Sequence, residues 1–183
     1  MRRTAAAATI FFVGLILTRH GRAFTPQAPR PSPHESVTAT IDDAEITIAY
    51  GRPSMRGRAI FGTLVPYGRV WCPGADEATT LNSTRGLQID TLAVPPGHHT
   101  IWMLPAADTW TLIVSKEPSG FHTRYPASAD LGRIELRKAT LSEPPGGIER
   151  LTFVIEKNPS AKGGVIKMMW ETIEVSAPFT VVP

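Results

Sequence analysis

The residues best suited to chemistry lie in one segment, 51–82, which is weakly periodic and rich in Arg, Gly and aromatic residues. Its charged members include Arg52, Arg58, Arg69 and Glu77. An Arg–carboxylate pair can hold an irregular loop in place and leave other guanidinium groups free to bind an anionic ligand. An ion-pair network that only fixes the loop gives the same sequence pattern. The pattern therefore leaves both interpretations open.

Aromatic residues accompany these charges. Tyr67 and Trp71 lie in the same segment, and Trp102 and Trp110 follow in later predicted strands. Aromatic rings beside polar groups can stack on a sugar or a peptide ring, but aromatic residues also dominate the burial of protein cores. We predict a ligand-binding site in this segment. Its candidate residues are Arg52, Arg58, Tyr67, Arg69, Trp71 and Glu77.

Patterns for metal binding and nucleophilic catalysis are weak. His98 and His99 are adjacent, so in a strand their side chains point to opposite faces and cannot bind the same ion. His122 lies in a segment predicted to be irregular and could meet one of them. The chain has no HExxH, no paired cysteines, no G-x-S-x-G and no phosphate-binding loop. We therefore predict no metal ligands, no cofactor and no assigned catalytic residue.

The chain has one cysteine, Cys72, which cannot form an internal disulfide. It is either a reactive nucleophile or a small buried residue beside Trp71. Free cysteine is among the most buried residue types, which favours the buried interpretation.

Four sequence runs carry a family resemblance. They are YGRPSMRGRAIFG, PYGRVWCPGADEATT, LAVPPGHHTIWMLP and WTLIVSK, and the region that contains them spans 46–179. In this order and spacing they resemble the bacterial family DUF2911, a domain of unknown function. The resemblance implies a secreted or periplasmic β-domain and assigns no catalytic residues. The chain departs from typical members at Cys72 and Asp76, where they have Arg and Asn, and at 119–121, where Ser-Gly-Phe replaces an expected Trp-Gly.

The amino terminus has the pattern of a signal peptide. Arg2 and Arg3 precede an apolar run over 4–17. This run is shorter than the stretch of about 20 apolar residues that a membrane-spanning helix requires. We predict a cleaved signal peptide over 1–23 and, from its four prolines, an extended linker over 24–36.

Cleavage changes the interpretation of the net charge. The formal charge of the whole chain is +3, and the predicted signal peptide contains four arginines and no acidic residue. Removing four positive charges from +3 leaves −1. The basic character therefore belongs to the signal peptide and does not indicate nucleic acid binding.

The remaining chain alternates between short apolar runs and turns rich in Gly and Pro, with no apolar repeat at helical spacing. The clearest hairpin joins 98–104 to 110–115, and the first of these strands is apolar on both faces. We predict that 173–177 and 179–182 are edge strands. The fold class is all-β, an antiparallel β-sandwich or jelly-roll-like barrel of roughly 8–10 strands in a single domain over 37–183.

These features favour an exported, non-catalytic module that binds a small molecule or an envelope component in the periplasm or outside the cell. One alternative is an envelope-associated hydrolase that uses Glu77 as general acid or base, with an Arg that stabilises negative charge. Another is a structural or assembly partner that pairs through an exposed edge strand. The sequence predicts no membrane span after signal cleavage and leaves the oligomeric state open.

Overall fold

The structure is a computed structural model that describes residues 32–142 and 144–182. The predicted signal peptide and most of the predicted linker lie outside these residues. The described residues form eleven β-strands and one short 3-10 turn at Ala127–Ala129. The strands are β1 (His34–Ile41), β2 (Ala44–Gly51), β3 (Thr80–Ser83), β4 (Gly86–Ile89), β5 (Leu92–Val94), β6 (Gly97–Pro105), β7 (Trp110–Ser115), β8 (Asp130–Thr140), β9 (Ile148–Lys157), β10 (Gly164–Glu171) and β11 (Ile173–Val182).

The strands form one antiparallel sheet in the order β1-β2-β3-β6-β7-β8-β11-β10-β9, with β4 paired to β11 and β5 paired to β4. Strands β1 and β9, at the two ends of this order, lie beside each other, so the sheet is nearly closed into a barrel. The prediction of a single antiparallel all-β domain is confirmed. The structure has an additional short strand because Asp90, at φ 49°, turns the chain between β4 and β5.

Alternating side chains of the strands fill the inside of the barrel. Ile46, Ile48 and Tyr50 of β2 are buried, and the other strands contribute Ile, Leu, Val, Met and Phe side chains in the same way. The space left between these side chains is about 10 Å³. Because a single water molecule needs about that much room, the interior cannot hold a ligand as the structure stands.

The hairpin of β6 and β7 forms as predicted, with apolar residues on both faces. Ile101 and Met103 belong to the barrel core. Trp102 and Ile113 belong to a second buried cluster with Cys72. The 52–79 segment thus covers the outer face of this hairpin, which explains why β6 has no polar face.

The prediction of two carboxyl-terminal edge strands is wrong. Residues 173–182 form the single strand β11, which pairs with β10 through Ile173–Phe179, with β8 through Ile173–Ser176 and with β4 through Phe179–Val182. Pro178 suggested a break because proline cannot donate a ladder hydrogen bond. It is tolerated here because it lies where β11 changes partner from β8 to β4.

The 52–79 segment forms no regular strand, in agreement with the prediction, but it is attached to the barrel at several points. Ser54 pairs with Arg150 of β9, and the backbones of Trp71 and Met103 exchange two hydrogen bonds of 2.8 Å. The carboxylate of Glu171 accepts hydrogen bonds from the amides of Ile60 and Phe61. The segment is therefore a fixed cover over one end and one outer face of the barrel.

Gly51 controls how closely this cover approaches. A Cβ atom at this position would lie 2.1 Å from the carbonyl oxygen of Ala75. Gly51 also pairs with His34 across the β1–β2 ladder. The absence of a side chain at Gly51 therefore lets the 75–77 part of the cover lie directly against the start of β1.

Candidate functional site

Arg52 is used to hold the cover against the barrel. Its Nε atom donates a hydrogen bond to the carbonyl of Leu151 at 3.0 Å, and its Nη2 atom donates one to Thr152 Oγ1 at 2.9 Å. Its Nη1 atom lies 2.9 Å from Glu35 Oε2. These contacts join β9, β1 and the start of the cover, which supports the loop-fixing interpretation of this arginine.

Arg58 binds the turn that precedes it. Its guanidinium donates to the carbonyls of Met55 and Ser54, both at 2.8 Å. Arg69 is exposed and makes no side-chain hydrogen bond within residues 32–142 and 144–182. None of the three arginines pairs with Glu77 in this part of the chain. Their role in ligand binding stays a prediction.

Most of the candidate aromatic residues belong to the core. Trp71 stacks on Trp170, with ring centroids 6.1 Å apart and an interplanar angle of 17°. Phe61 contacts Trp71, Trp110 and Trp170 edge-on and closes this end of the barrel. Tyr67 differs from them because it is 42% exposed.

Cys72 is fully buried in the cluster under the cover, and the amide of Thr79 donates a hydrogen bond to its sulfur at 3.3 Å. Burial raises the pKa of this thiol to about 11. Because the thiolate is the nucleophilic form, a thiol that stays protonated at neutral pH fits the buried interpretation.

Glu77 is found with two residues that the sequence-based site did not include. Its Oε2 atom lies 2.6 Å from His34 Nε2. One ligating atom of each of His34, Asp76 and Glu77 lies within 4.8 Å of the other two. We refer to these three residues as the His–carboxylate cluster. It lies where the first residue of β1 meets the cover.

The segment after β7 forms the other side of this site. The carbonyl of Asp76 accepts two hydrogen bonds from His122, from the backbone amide at 3.0 Å and from ring Nδ1 at 2.7 Å. Glu77 forms a backbone bridge with Phe121, whose ring is 47% exposed. We refer to the His–carboxylate cluster together with Phe121 and His122 as the outer patch.

A polar cluster fixes the segment that carries Phe121 and His122. The hydroxyl of Tyr125 donates to the Asp130 carboxylate at 2.6 Å, and Arg133 contacts the same carboxylate at 2.8 Å. Partial burial, with the Asp130 carboxylate as the next cause, raises the pKa of Tyr125 to about 12. The Tyr125 ring also packs on Trp102 with ring centroids 5.3 Å apart. The outer patch therefore lies on a well-anchored loop.

Residues 32–179 match the family model described as "Protein of unknown function (DUF2911)". The chain belongs to the DUF2911 family. A search of curated proteins gave no match, and a search of solved structures gave none either. Among the described residues of this DUF2911 chain, no helix has the length and apolar character needed to cross a membrane.

The sequence-predicted site did not include four members of the outer patch: His34, Asp76, Phe121 and His122. His34 was placed in the predicted linker, but β1 of this DUF2911 chain begins at His34, ahead of the predicted start at 37. His122 contacts Asp76 and not His98 or His99. The ring nitrogens of His99 face the carbonyls of Ser115 and Pro95 at 3.1 and 3.0 Å, which fixes this residue in the fold. The available signals were the adjacency of Asp76 to Glu77 and the aromatic and imidazole side chains of Phe121 and His122 in a segment predicted to be irregular.

Two open grooves lie at the opposite end of the barrel. One of about 330 Å³ is bordered by Asp90, Asn158 and Lys162, and the other of about 400 Å³ by Asp43, Arg85 and Lys162. Their borders mix both charge signs, and none of the sequence-predicted site residues borders them. The outer patch, in contrast, contains the sequence-predicted site residue Glu77 together with the imidazole and carboxylate groups of His34 and Asp76.

Proposed function

We propose that this DUF2911 chain is an exported, non-catalytic binding module that recognises a small molecule or a component of the bacterial cell envelope through the outer patch. The observation that supports this most is the convergence of His34, Asp76 and Glu77 beside the exposed ring of Phe121. The filled interior of the barrel directs ligand binding to the outer surface.

The outer patch has the chemistry of a polar recognition surface. The carboxylates of Asp76 and Glu77 can accept hydrogen bonds from hydroxyl or amine groups of a ligand. The ring of Phe121 offers an apolar face beside them, and an aromatic ring next to polar groups suits stacking on a sugar or peptide. Sugars and short peptides are the components of peptidoglycan, which makes its soluble fragments suitable probes.

A hydrolase is the second candidate, and one observation favours it. The 2.6 Å contact between His34 Nε2 and Glu77 Oε2 is an imidazole–carboxylate pair of the type used in acid–base catalysis. However, the two side chains are 38% and 52% exposed. Catalytic groups generally lie in concave sites from which water can be excluded. The exposure of this pair therefore fits ligand binding better.

A purely structural role through an edge strand has less support. Pairing between chains uses the free backbone groups of exposed edges. In the described residues, β1 and β9 lie beside each other and β6 is covered by the 52–79 segment. The nearly closed sheet therefore leaves little long edge for such pairing.

The export part of the proposal depends on the amino-terminal sequence. The basic start, the apolar run and the family resemblance all favour a signal peptide that ends near residue 23. Expression of the full chain in a Gram-negative host should give a periplasmic protein without its first 23 residues. Retention of the uncleaved chain in the cytoplasm would contradict export.

Binding can be tested with this mature protein and soluble disaccharide-peptides released from purified peptidoglycan. Saturation-transfer NMR should show contact with the wild type. The substitutions Phe121→Ala and Glu77→Gln should each raise the Kd for the fragments by about tenfold, which corresponds to a loss of about 1.4 kcal/mol of binding free energy. Leu64→Ala is the control, because Leu64 is an exposed large hydrophobic residue outside the outer patch and was not among the predicted site residues.

The outcomes separate binding from hydrolysis. No saturation transfer to the wild type, or equal transfer to all variants, would contradict binding at the outer patch. Cleavage products that accumulate with wild type and disappear with Glu77→Gln would show the hydrolase. Melting temperatures of the two variants close to that of the wild type would show that the loss is not caused by unfolding.

A further inference from the structure

We propose that the His–carboxylate cluster is a binding site for a divalent transition-metal ion, with Zn²⁺ as the best match. This inference rests on the proposed function, since it names an ion as part of what the outer patch binds. It gives a chemical role to His34 and Asp76, which the sequence-predicted site did not contain.

The spacing of the ligating atoms supports a metal site. Each of the three side chains places one ligating atom within 4.8 Å of the other two, and the shortest described separation is 2.6 Å. In a tetrahedral zinc site, bonds of about 2.0–2.2 Å place neighbouring ligand atoms about 3.3–3.6 Å apart. The His34–Glu77 contact is shorter than this range, and 4.8 Å is the upper limit for the other two separations, so the three side chains are close enough to reach one ion after side-chain rotation.

The donor set favours a transition metal over calcium or magnesium. The cluster offers one imidazole nitrogen and two carboxylate oxygens. Calcium and magnesium bind through oxygen atoms and usually need six or more ligands. Imidazole suits Zn²⁺, and one His with two carboxylates leaves a fourth position for water or for a group of a larger ligand.

The backbone around the three ligands is held from two sides. His34 pairs with Gly51, and the carbonyl of Ala75 lies against Gly51, so the strand and the cover meet at one residue. Asp76 adopts φ 65°, a left-handed conformation that Asp and Asn tolerate better than most residues. The position of the ligand-bearing backbone is therefore fixed before any ion binds.

His122 positions Asp76 from the other side. A carbonyl oxygen can only accept a hydrogen bond, so Nδ1 of His122 must donate in its 2.7 Å contact with the Asp76 carbonyl. Together with the amide hydrogen bond of 3.0 Å, this contact holds the Asp76 backbone. Outer contacts of this kind orient ligand-bearing groups in metal sites.

The test uses the mature protein after its metal has been removed by chelation. Isothermal titration calorimetry with Zn²⁺ then measures the affinity and the number of ions bound. The wild type should bind one equivalent. His34→Ala, Asp76→Asn and Glu77→Gln should each weaken binding by more than about tenfold, because each removes a direct ligand. Substitution with Co²⁺ should give the intense visible absorption of a four-coordinate ion in the wild type and lose it in the variants.

Two controls keep the result specific. His98→Ala removes an exposed histidine from β6 outside the cluster and should leave Zn²⁺ affinity unchanged. Asp76→Asn retains the shape and the left-handed tolerance of Asp76, so its melting temperature should stay near that of the wild type. Loss of affinity in a variant that remains folded then reports the carboxylate itself.

The inference is overturned if the wild type shows no saturable Zn²⁺ binding, or if His34→Ala binds Zn²⁺ as tightly as the wild type. Failure of the proposed Zn²⁺ site can be distinguished from failure of the proposed function. Fragment binding by a wild type that shows no saturable Zn²⁺ binding would remove the metal site and leave the proposed function standing. Zn²⁺ binding without any fragment binding would leave the metal site standing and remove the proposed recognition of envelope material.

Discussion

Gly51→Ala should destabilise the protein by about 3 kcal/mol or more, or prevent it from folding. The new Cβ atom would lie 2.1 Å from the carbonyl oxygen of Ala75 and 2.9 Å from its carbonyl carbon. Backbone atoms cannot rotate away as a side chain can, so the cover must move away from the β1–β2 ladder. Overpacking of this kind costs about 1–3 kcal/mol and sometimes more. Urea denaturation monitored by circular dichroism measures the free energy of unfolding.

Gly120→Ala is the matched control for this prediction. A Cβ atom there would meet Ala78 Cβ at 3.7 Å, which is an ordinary contact. We expect its free energy of unfolding to lie within about 0.5 kcal/mol of that of the wild type. Equal stability of the Gly51→Ala and Gly120→Ala variants would show that the cover does not lie as closely on β2 as the structure has it.

Trp71→Ala should destabilise the protein by about 3 kcal/mol. The substitution removes the ring that stacks on Trp170 and contacts Phe61, and it leaves a cavity at the covered end of the barrel. Loss of a buried Trp or Phe side chain costs about 3–5 kcal/mol, and the partial burial of Trp71 places it near the lower limit. Thermal melting and urea denaturation both measure the change.

Tyr67→Ala provides the comparison for Trp71, because both aromatic residues were predicted to contact a ligand. Tyr67 is 42% exposed, and its removal should cost less than about 1 kcal/mol. If Trp71→Ala keeps the stability of the wild type but loses binding of peptidoglycan fragments, then Trp71 is a ligand residue and its assignment to the core is wrong.

The fold class could be predicted from the sequence because apolar residues recur at every second position in most of the strands. The hairpin of β6 and β7, with Trp102 on its covered face, followed from residue types alone. The change of strand partner at Pro178 could not be predicted from residue types. A proline inside a paired strand gives the same sequence pattern as a proline in a turn.

The candidate site was harder to predict, because it depends on contacts between residues far apart in sequence. The segment that carries Glu77 was identified, but its partner was expected among the arginines. Arg52 instead contacts Glu35 and the backbone of β9, and His34 takes the place beside Glu77. The pairing of His34 with Gly51 brings these residues together, and no local pattern around residue 34 indicates it.

The central claim is that ligands bind at the outer patch and not inside the barrel. The most direct test is a two-dimensional NMR spectrum of the ¹⁵N-labelled mature protein recorded before and after addition of Zn²⁺. The predicted result is a set of chemical-shift changes centred on the amides of His34, Asp76, Glu77, Phe121 and His122, reversed by chelator. Changes confined to residues that face the barrel interior, such as Ile101 and Met103 of β6 and Ile166 of β10, or to the grooves at the opposite end, would contradict the claim.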